Sequence, residues 1–346
     1  MEMSKKLNIA VVGATGAVGE AMLSILAEYG FKDANVHALA SEKSLGKTVD
    51  FGHRSLAVEV LDDFDFAGTD FALFSAGAGI SLKYAPRAAK AACTVIDNTS
   101  AFRLDDDIPL VVPEINGDLL ENLKAGSIIA NPNCSTIQML IAIAPIHAAA
   151  GIDRINVATY QSVSGAGSEG MEELARQTMD RLSFKEVKPS VFAQPIAFNA
   201  IPVIDSMQDN EYTREEMKLH WETQKILRDD SIGVNATAVR VPVFYGHSEA
   251  VHLETSRDIS MEAVREAMSG APGLTLIDDT DPKVQATAVT HAAGKDAVFV
   301  SRLRRDYTHP RGINMWVVSD NVRKGAALNA VQILKMMVAG KMPVET

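Results

Sequence analysis

Cysteine is nearly absent: Cys93 and Cys134 are the only two in 346 residues and lie far apart. A disulfide framework is therefore excluded as the organising device, and each thiol needs its own explanation. Long apolar runs are missing as well, and nothing approaches the roughly 20 apolar residues of a membrane span. Lys5 and Lys6 precede an apolar run, Leu7–Val12, that passes straight into glycines with no cleavage pattern, so a secretory signal is not expected. Cationic excess is lacking too. With 33 Lys and Arg against 44 Asp and Glu the net charge is -11, which argues against a nucleic-acid or anionic-membrane partner. Cytoplasm is therefore the expected compartment.

What is present suits a globular chain: 47% apolar and 22% charged residues, at a length that fits two domains. The first 130 or so residues alternate short apolar runs with helix-period segments, which predicts βαβ units and a parallel sheet. Strands are expected at Leu7–Val12, Asn35–Ala40, Phe71–Ser75, Thr94–Asp97, Leu110–Val112 and Ser127–Asn131, with helices at Ala17–Tyr29 and Ser81–Ala92. After Pro132 the pattern changes. An apolar helix from Ser135 to about Ala149 leads to a long strand, Ile152–Tyr160, and a Gly/Ser loop at Ser162–Gly170. Residues 187–211 read as an irregular loop and Thr213–Leu227 as a helix. Asn235–Val241, Ala250–Thr255, Val298–Leu303 and Gly312–Val318 read as strands of a mixed sheet, and Val322–Ala339 as a closing helix. No internal repeat is visible.

The string Gly13-Ala14-Thr15-Gly16-Ala17-Val18-Gly19 stands between a predicted strand and a predicted helix, the context in which it means dinucleotide binding. Gly13 serves the tight turn, Gly16 lets backbone approach a pyrophosphate, and Gly19 lets helix and strand pack closely. An NAD enzyme usually places an acidic residue after the second strand. Here Ser41, Glu42, Lys43, Ser44 and Lys47 follow it, and hydroxyls with ammonium groups suit the 2′-phosphate of NADP. Glu42 is the dissenting residue.

Cys134 lies in Asn131-Pro-Asn133-Cys-Ser-Thr136 at the start of an apolar helix. There the macrodipole favours a thiolate, and Pro132 fixes where the helix begins. Cys93, between a helix and a buried strand without polar company, reads as an inert core thiol. Of eight histidines, His247 alone follows a strand and a glycine, a loop position suited to a proton acceptor. No pair has metal-ligand spacing, so no metal is expected. Gln161 at a strand end could orient a carbonyl, Arg103 after a strand could hold an anion, and Arg240 could grip a carboxylate with its forked donors.

Together these segments resemble the aspartate-β-semialdehyde dehydrogenases over essentially the whole chain. The likeness rests on the glycine string, Asn98-Thr-Ser-Ala-Phe-Arg103, Asn131-Pro-Asn-Cys-Ser-Thr136 and Tyr160-Gln-Ser-Val-Ser-Gly-Ala-Gly167. It continues through Glu215-Glu-Met-Lys218, Arg240 with His247, and Asp320-Asn-Val-Arg-Lys-Gly-Ala326. It implies an α/β fold: a Rossmann-type NADP-binding domain, 1–132 with 322–346, and an α+β domain, 133–321, for catalysis and homodimerisation, like the C-terminal domain of glyceraldehyde-3-phosphate dehydrogenase. It implies Cys134 as nucleophile, His247 as acid/base, and Gln161 and Asn133 beside the thioester. Arg240 would bind the substrate carboxylate, Glu216 its ammonium, and Arg103 with Lys218 the phosphate. Thr15, Gly16, Ser41, Ser164, Gly165 and Asn321 would touch NADP(H), with inorganic phosphate as co-substrate and aspartate semialdehyde or β-aspartyl phosphate as substrate. The alternative is an enzyme of the N-acetyl-glutamyl-phosphate reductase type, which shares the thiol chemistry and would not need Glu216. Ser183–Asn210 and Thr280–Asp296 carry no residue with an assignable role.

Overall fold

The computed structural model describes residues 6–339. Lys5 and the ends of the expected nucleotide-domain range, 1–5 and 340–346, lie outside the described residues. The chain divides into two compact units, with boundaries after Pro132 and after Gly325.

The first unit is a seven-stranded sheet ordered β3-β4-β2-β1-β5-β6-β7. Its strands are β1 (Asn8–Val12), β2 (Asn35–Ala40), β3 (Thr48–Phe51), β4 (Arg54–Val60), β5 (Phe71–Phe74), β6 (Thr94–Asp97) and β7 (Ile128–Ala130). All ladders are parallel except β3 with β4, so the strand–helix alternation has produced the open doubly wound sheet it predicts. Helices α1 (Ala17–Leu26), α2 (Ala78–Lys90), the short α3 (Pro113–Asn116) and α8 (Leu328–Ala339) complete it. One apolar core joins β1, α1, β2, β5 and α8, with Ile9, Val11, Met22, Leu23, Leu73, Val331 and Leu334 all buried.

The order reverses beside β1, which has β2 on one side and β5 on the other. In such sheets a crevice opens at the strand ends there. The Gly-rich turn occupies that point. Gly13 has φ +88°, and a Cβ on it would come 3.0 Å from the Ser75 and Ala76 backbone at the end of β5. A Cβ on Gly19 would stand 2.1 Å from the Gly13 carbonyl oxygen.

The second unit is a six-stranded mixed sheet ordered β11-β12-β13-β10-β8-β9. It comprises β8 (Ile152–Gln161), β9 (Gly233–Arg240), β10 (His247–Thr255), β11 (Leu274–Leu276), β12 (Val298–Arg305) and β13 (Gly312–Ser319). Its helices are α4 (Cys134–Ala150), α5 (Gly167–Leu182), α6 (Arg214–Leu227) and α7 (Met261–Met268). Helix α4 is apolar nearly all round because it is buried between the sheet and α6 and α7.

Several local expectations change. The Leu110–Val112 strand is a single bridge, Leu110 to Ala130. The α1 pattern stops at Leu26, and a wider turn through Gly30, at φ +98°, carries the chain to Phe31. The closing helix begins at Leu328 after a wide turn over Arg323–Ala327. The β3–β4 hairpin, α7 and β11 have no counterpart in the sequence reading. Among the described residues no helix is long and apolar enough to cross a membrane.

Gly19→Ala must push the Gly13 turn away from α1. Overpacking of this kind costs about 1–3 kcal/mol, so a lower melting temperature and weaker dinucleotide binding are expected. Unchanged melting and titration curves would show that the turn yields freely.

Candidate active site

Asn133 caps α4. Its Oδ1 accepts from the Ser135 and Thr136 amides at 2.9 and 3.3 Å, and its Nδ2 donates to Glu215 Oε1 at 2.9 Å. Its backbone N–H donates to Glu222 Oε2 at 2.6 Å. Cys134 is thus the first residue of a buried helix with its side chain half-buried, while Cys93 is fully buried. Burial pushes the Cys93 thiol up to about 12, as an inert thiol should be.

Strands β8 and β9 run parallel and end side by side at Gln161 and Arg240. Gln161 Nε2 donates to Ser135 Oγ at 2.8 Å and to Glu215 Oε1 at 3.0 Å, which leaves its buried Oε1 without a protein partner. Arg240 Nη1 donates to the Ser162 carbonyl at 2.7 Å. A Cβ on Gly165 would stand 2.9 Å from Arg240 Nη1 and 3.4 Å from His247 Cε1, so only glycine fits beside both.

Glu215 is the electrostatic centre. Burial opposes its ionisation, but the Lys218 charge and hydrogen bonds from Gln161, Lys218 and Asn133 outweigh that and hold it down to about 2. Lys218 Nζ donates to Glu215 at 2.8 Å and Asp205 at 2.9 Å. Burial works against the Lys218 charge, yet Glu215 and then Asp205 raise it.

His247 is the first residue of β10 and fully buried, not on a loop; pairing with Ser319 of β13 draws it into the sheet. Its Nδ1 lies 3.1 Å from both the Ser162 amide and hydroxyl. A backbone N–H can only donate, so Nδ1 accepts, and the neutral ring's hydrogen is assigned to Nε2, the buried nitrogen without a protein partner. Burial, then the Arg240 charge, lowers the imidazole to about 3. Asn321 braces this corner. Its Oδ1 accepts from Ser162 Oγ and the Gly246 amide at 3.0 Å each, and its Nδ2 donates to Ser164 Oγ at 3.0 Å. The 280–296 segment is tied in beside it, with Gly294 donating to Asp320 at 2.7 Å and Arg323 to Asp296 at 2.7 Å.

The second unit therefore gathers Asn133, Cys134, Gln161, Ser164, Gly165, Lys218, Arg240, His247 and Asn321. Glu216 is not among them. It closes a capping box, its Oε2 accepting the Thr213 amide at 2.7 Å while its Oε1 accepts the Ala238 amide at 2.9 Å. The neighbouring Glu215 is the glutamate that meets Gln161 and Asn133. The sequence held the signal, because Thr213 three residues before Glu216 is a capping-box spacing. Glu222, two turns on from Glu215 on the same helix face, was likewise missed.

In the first unit Arg103 is buried, its Nε donating to the Asn131 carbonyl and Nη2 to the Asn98 carbonyl, each at 2.9 Å. Gly16 precedes α1 without a side-chain cap, and a Cβ on it would meet only ordinary contact, so the helix N-terminus stays open to a phosphate. Thr15 and Ser44 hydroxyls lie 3.3 Å apart there, with Ser41, Glu42 and Lys43 exposed on the following turn. This cradle fits a dinucleotide.

Comparison with known proteins agrees with this arrangement. Residues 8–123 match the family profile described as semialdehyde dehydrogenase, NAD binding domain, and residues 143–324 that described as semialdehyde dehydrogenase, dimerisation domain. The chain is 54% identical to an aspartate-semialdehyde dehydrogenase of Legionella pneumophila over 97% of this chain and 96% of that one. It is 52% identical to one of Shewanella sp. (strain DB6705), over 97% and 99%. The crystal structure of aspartate semialdehyde dehydrogenase II from Vibrio cholerae, complexed with ASA, superposes with a TM-score of 0.94 at 54% identity, covering 97% and 99%.

The buried neutral histidine has a cost in acid. Unfolded, it takes a proton near its ordinary value of 6.5; folded, it resists until about 3. Between these the unfolded chain binds the extra proton, so stability falls as pH drops, by at most about 1.4 kcal/mol per pH unit. Urea titrations between pH 6.5 and 5 should show a shallower slope for His247→Gln than for the wild type. Equal slopes would mean the native ring is already protonated.

Proposed function

The chain belongs to the aspartate-semialdehyde dehydrogenase family, and from that premise we propose that it reduces β-aspartyl phosphate to aspartate semialdehyde, reversibly, through a thioester on Cys134 with NADPH as reductant. Membership makes it an oxidoreductase of amino-acid biosynthesis with an NAD(P)-binding Rossmann domain and a dimerisation domain. The observation that carries the finer reading is the buried cluster of Glu215, Lys218, Gln161 and Asn133 around the helix terminus that bears Cys134.

The helix N-terminus favours the Cys134 thiolate. That thiolate attacks the acyl carbon; the C–S bond forms, the C–O bond to phosphorus breaks, and inorganic phosphate leaves. NADPH supplies the hydride that reduces the thioester. His247 Nε2–H faces the developing oxyanion and stabilises it by donating a hydrogen bond, the neutral imidazole acting as donor rather than as acid, a contribution of about 10²–10³-fold. The oxyanion then collapses to the carbonyl, the C–S bond to Cys134 breaks, the thiolate is regenerated and the aldehyde is released. Splitting an acyl-phosphate reduction in this way replaces one difficult step by two easier ones.

Arg240 binds the substrate carboxylate, and Glu215, held ionised, binds its ammonium with the Gln161 carbonyl oxygen as a second acceptor. The Vibrio cholerae protein's complex with ASA supports the same substrate class. Phosphate is the ligand of Lys218 and of Arg103. Gly13, Ala14, Thr15, Gly16, Ala17, Val18 and Gly19 form the pyrophosphate turn, and Ser41, Lys43 and Ser44 take the 2′-phosphate while Glu42 points outward. Ser164, Gly165 and Asn321 touch the nucleotide as well, Asn321 chiefly by bracing the turn. The protein works in the cytoplasm as a homodimer, supplying lysine, threonine, methionine and isoleucine. Exposed apolar side chains of the second unit, among them Met179, Leu182, Phe184 and Phe198, support a paired state.

Absorbance at 340 nm tests this. Aspartate semialdehyde and phosphate should reduce NADP in preference to NAD, dependent on phosphate, and Cys134→Ala should abolish the signal. Activity without Cys134, or with the N-acetylated glutamate analogue in place of the aspartate substrate, would overturn the assignment.

A further inference from the structure

Arg240 ends β9, the edge strand, and among the described residues no further strand continues the sheet. Its outer neighbour is Ile201 of the irregular stretch, which exchanges two backbone hydrogen bonds with it, at 2.8 and 2.9 Å. One face of the guanidinium is covered by the same stretch, with the Phe192 ring centroid 5.9 Å from Cζ. No regular element holds Phe192, so its position has to come from elsewhere.

It comes from one face of α5. Gly170, Glu173 and Gln177 fall at helical spacing and are all buried. Glu173 accepts the Ser190 amide at 3.1 Å, the Ser190 hydroxyl at 2.6 Å and the Val191 amide. Gln177 Oε1 accepts the Ile196 and Ala197 amides at 2.8 and 3.1 Å, and Gln177 Nε2 is bound to Glu173 at 2.7 Å. The chain is pinned immediately before Phe192 and again four residues after it. Gly170 leaves room for the ring, because a Cβ there would come 3.2 Å from Phe192 Cζ and closer still to Val163 and Ala166. Behind the ring, Ile196, Ala197 and Ile201 pack with Val163 and Leu174 into a small core of their own.

We propose that Phe192 is a positioning residue for Arg240, and that the 190–201 segment, seated on Glu173 and Gln177, sets the affinity for the substrate's carboxylate. The proposal rests on the reading of Arg240 as carboxylate ligand. An aromatic face attracts a guanidinium, restrains its plane, and excludes water from one side. The forked donors are then held ready before substrate arrives, and less ordering remains to be done on binding. The segment that the sequence left without a role becomes the outer wall of the anion site.

Steady-state kinetics of the intact enzyme separate this from a merely structural role. Phe192→Leu should raise KM for aspartate semialdehyde about 3- to 10-fold, the size of a partly desolvated cation–π contact. The kcat should stay within about twofold and KM for NADP and phosphate should not move. Phe192→Tyr, which keeps the ring, should behave as wild type; Phe192→Met supplies the ring-free comparison if Phe192→Leu does not fold. Arg240→Lys reports on the underlying reading and should raise the same KM by roughly tenfold or more. If Arg240→Lys leaves KM unchanged, the carboxylate reading fails. If Arg240→Lys raises it while the ring-free variants do not, or if Phe192→Tyr is as impaired as they are, the role given to Phe192 is overturned.

Discussion

An ionised carboxylate inside a protein is tolerated only when donors surround it, and Glu215 has three of them: Lys218, Gln161 and Asn133. Each donor belongs to a different part of the second unit. Asn133 is also the cap of α4, so satisfying Glu215 fixes the amide whose oxygen holds the first turn behind Cys134. Gln161 is the last residue of β8, and Glu222, seven residues beyond Glu215 on the same helix face, accepts the Asn133 amide. Two carboxylates of α6 thus dock the helix that begins at Cys134 against the strand ends. Neutralising Glu215 would leave an ammonium and two amides facing an absent charge.

A second polar network, around Asn321, meets the first at consecutive residues, Gln161 and Ser162. Ser162 serves His247 with its amide and Arg240 with its carbonyl, so one residue sets the tautomer of the imidazole and the direction of the guanidinium. Both networks consist of side chains already bonded to one another and to backbone amides, an arrangement with little rotamer freedom left to lose on binding. The protein's net charge of -11 is then no obstacle to anionic substrates. Attraction at a few ångströms in a dry site outweighs a diffuse surface field screened over about 8 Å in physiological salt.

What could be read from sequence follows from range. The Gly13–Gly19 turn, Asn133-Cys134, Gln161 and Arg240 were legible because turn chemistry and helix starts are local. The doubly wound sheet followed from alternation of period. Glu216 was preferred to Glu215 because adjacent glutamates in a first turn look alike until the capping box is counted from Thr213. His247 looked like a loop residue because Gly246 precedes it, whereas pairing with β13, about 70 residues later, decides its burial. The β3–β4 hairpin escaped because Val49 and Phe51 alternate over only four residues, and Leu274–Leu276 is shorter still.

The irregular stretch escaped for a different reason. Residues 190–197 are ordered by side chains that accept their amides, and a buried glutamate and glutamine on α5 do for this segment what a neighbouring strand does elsewhere. Hydrophobic periodicity cannot reveal such order, since the segment has none. The sequence trace is on the partner helix, where Glu173 and Gln177 stand at i and i+4 on a face that should be apolar. Polar residues on the buried stripe of a helix are costly unless they have acceptors or donors to meet. Such a pair in a sequence therefore points to a loop that must lie against it.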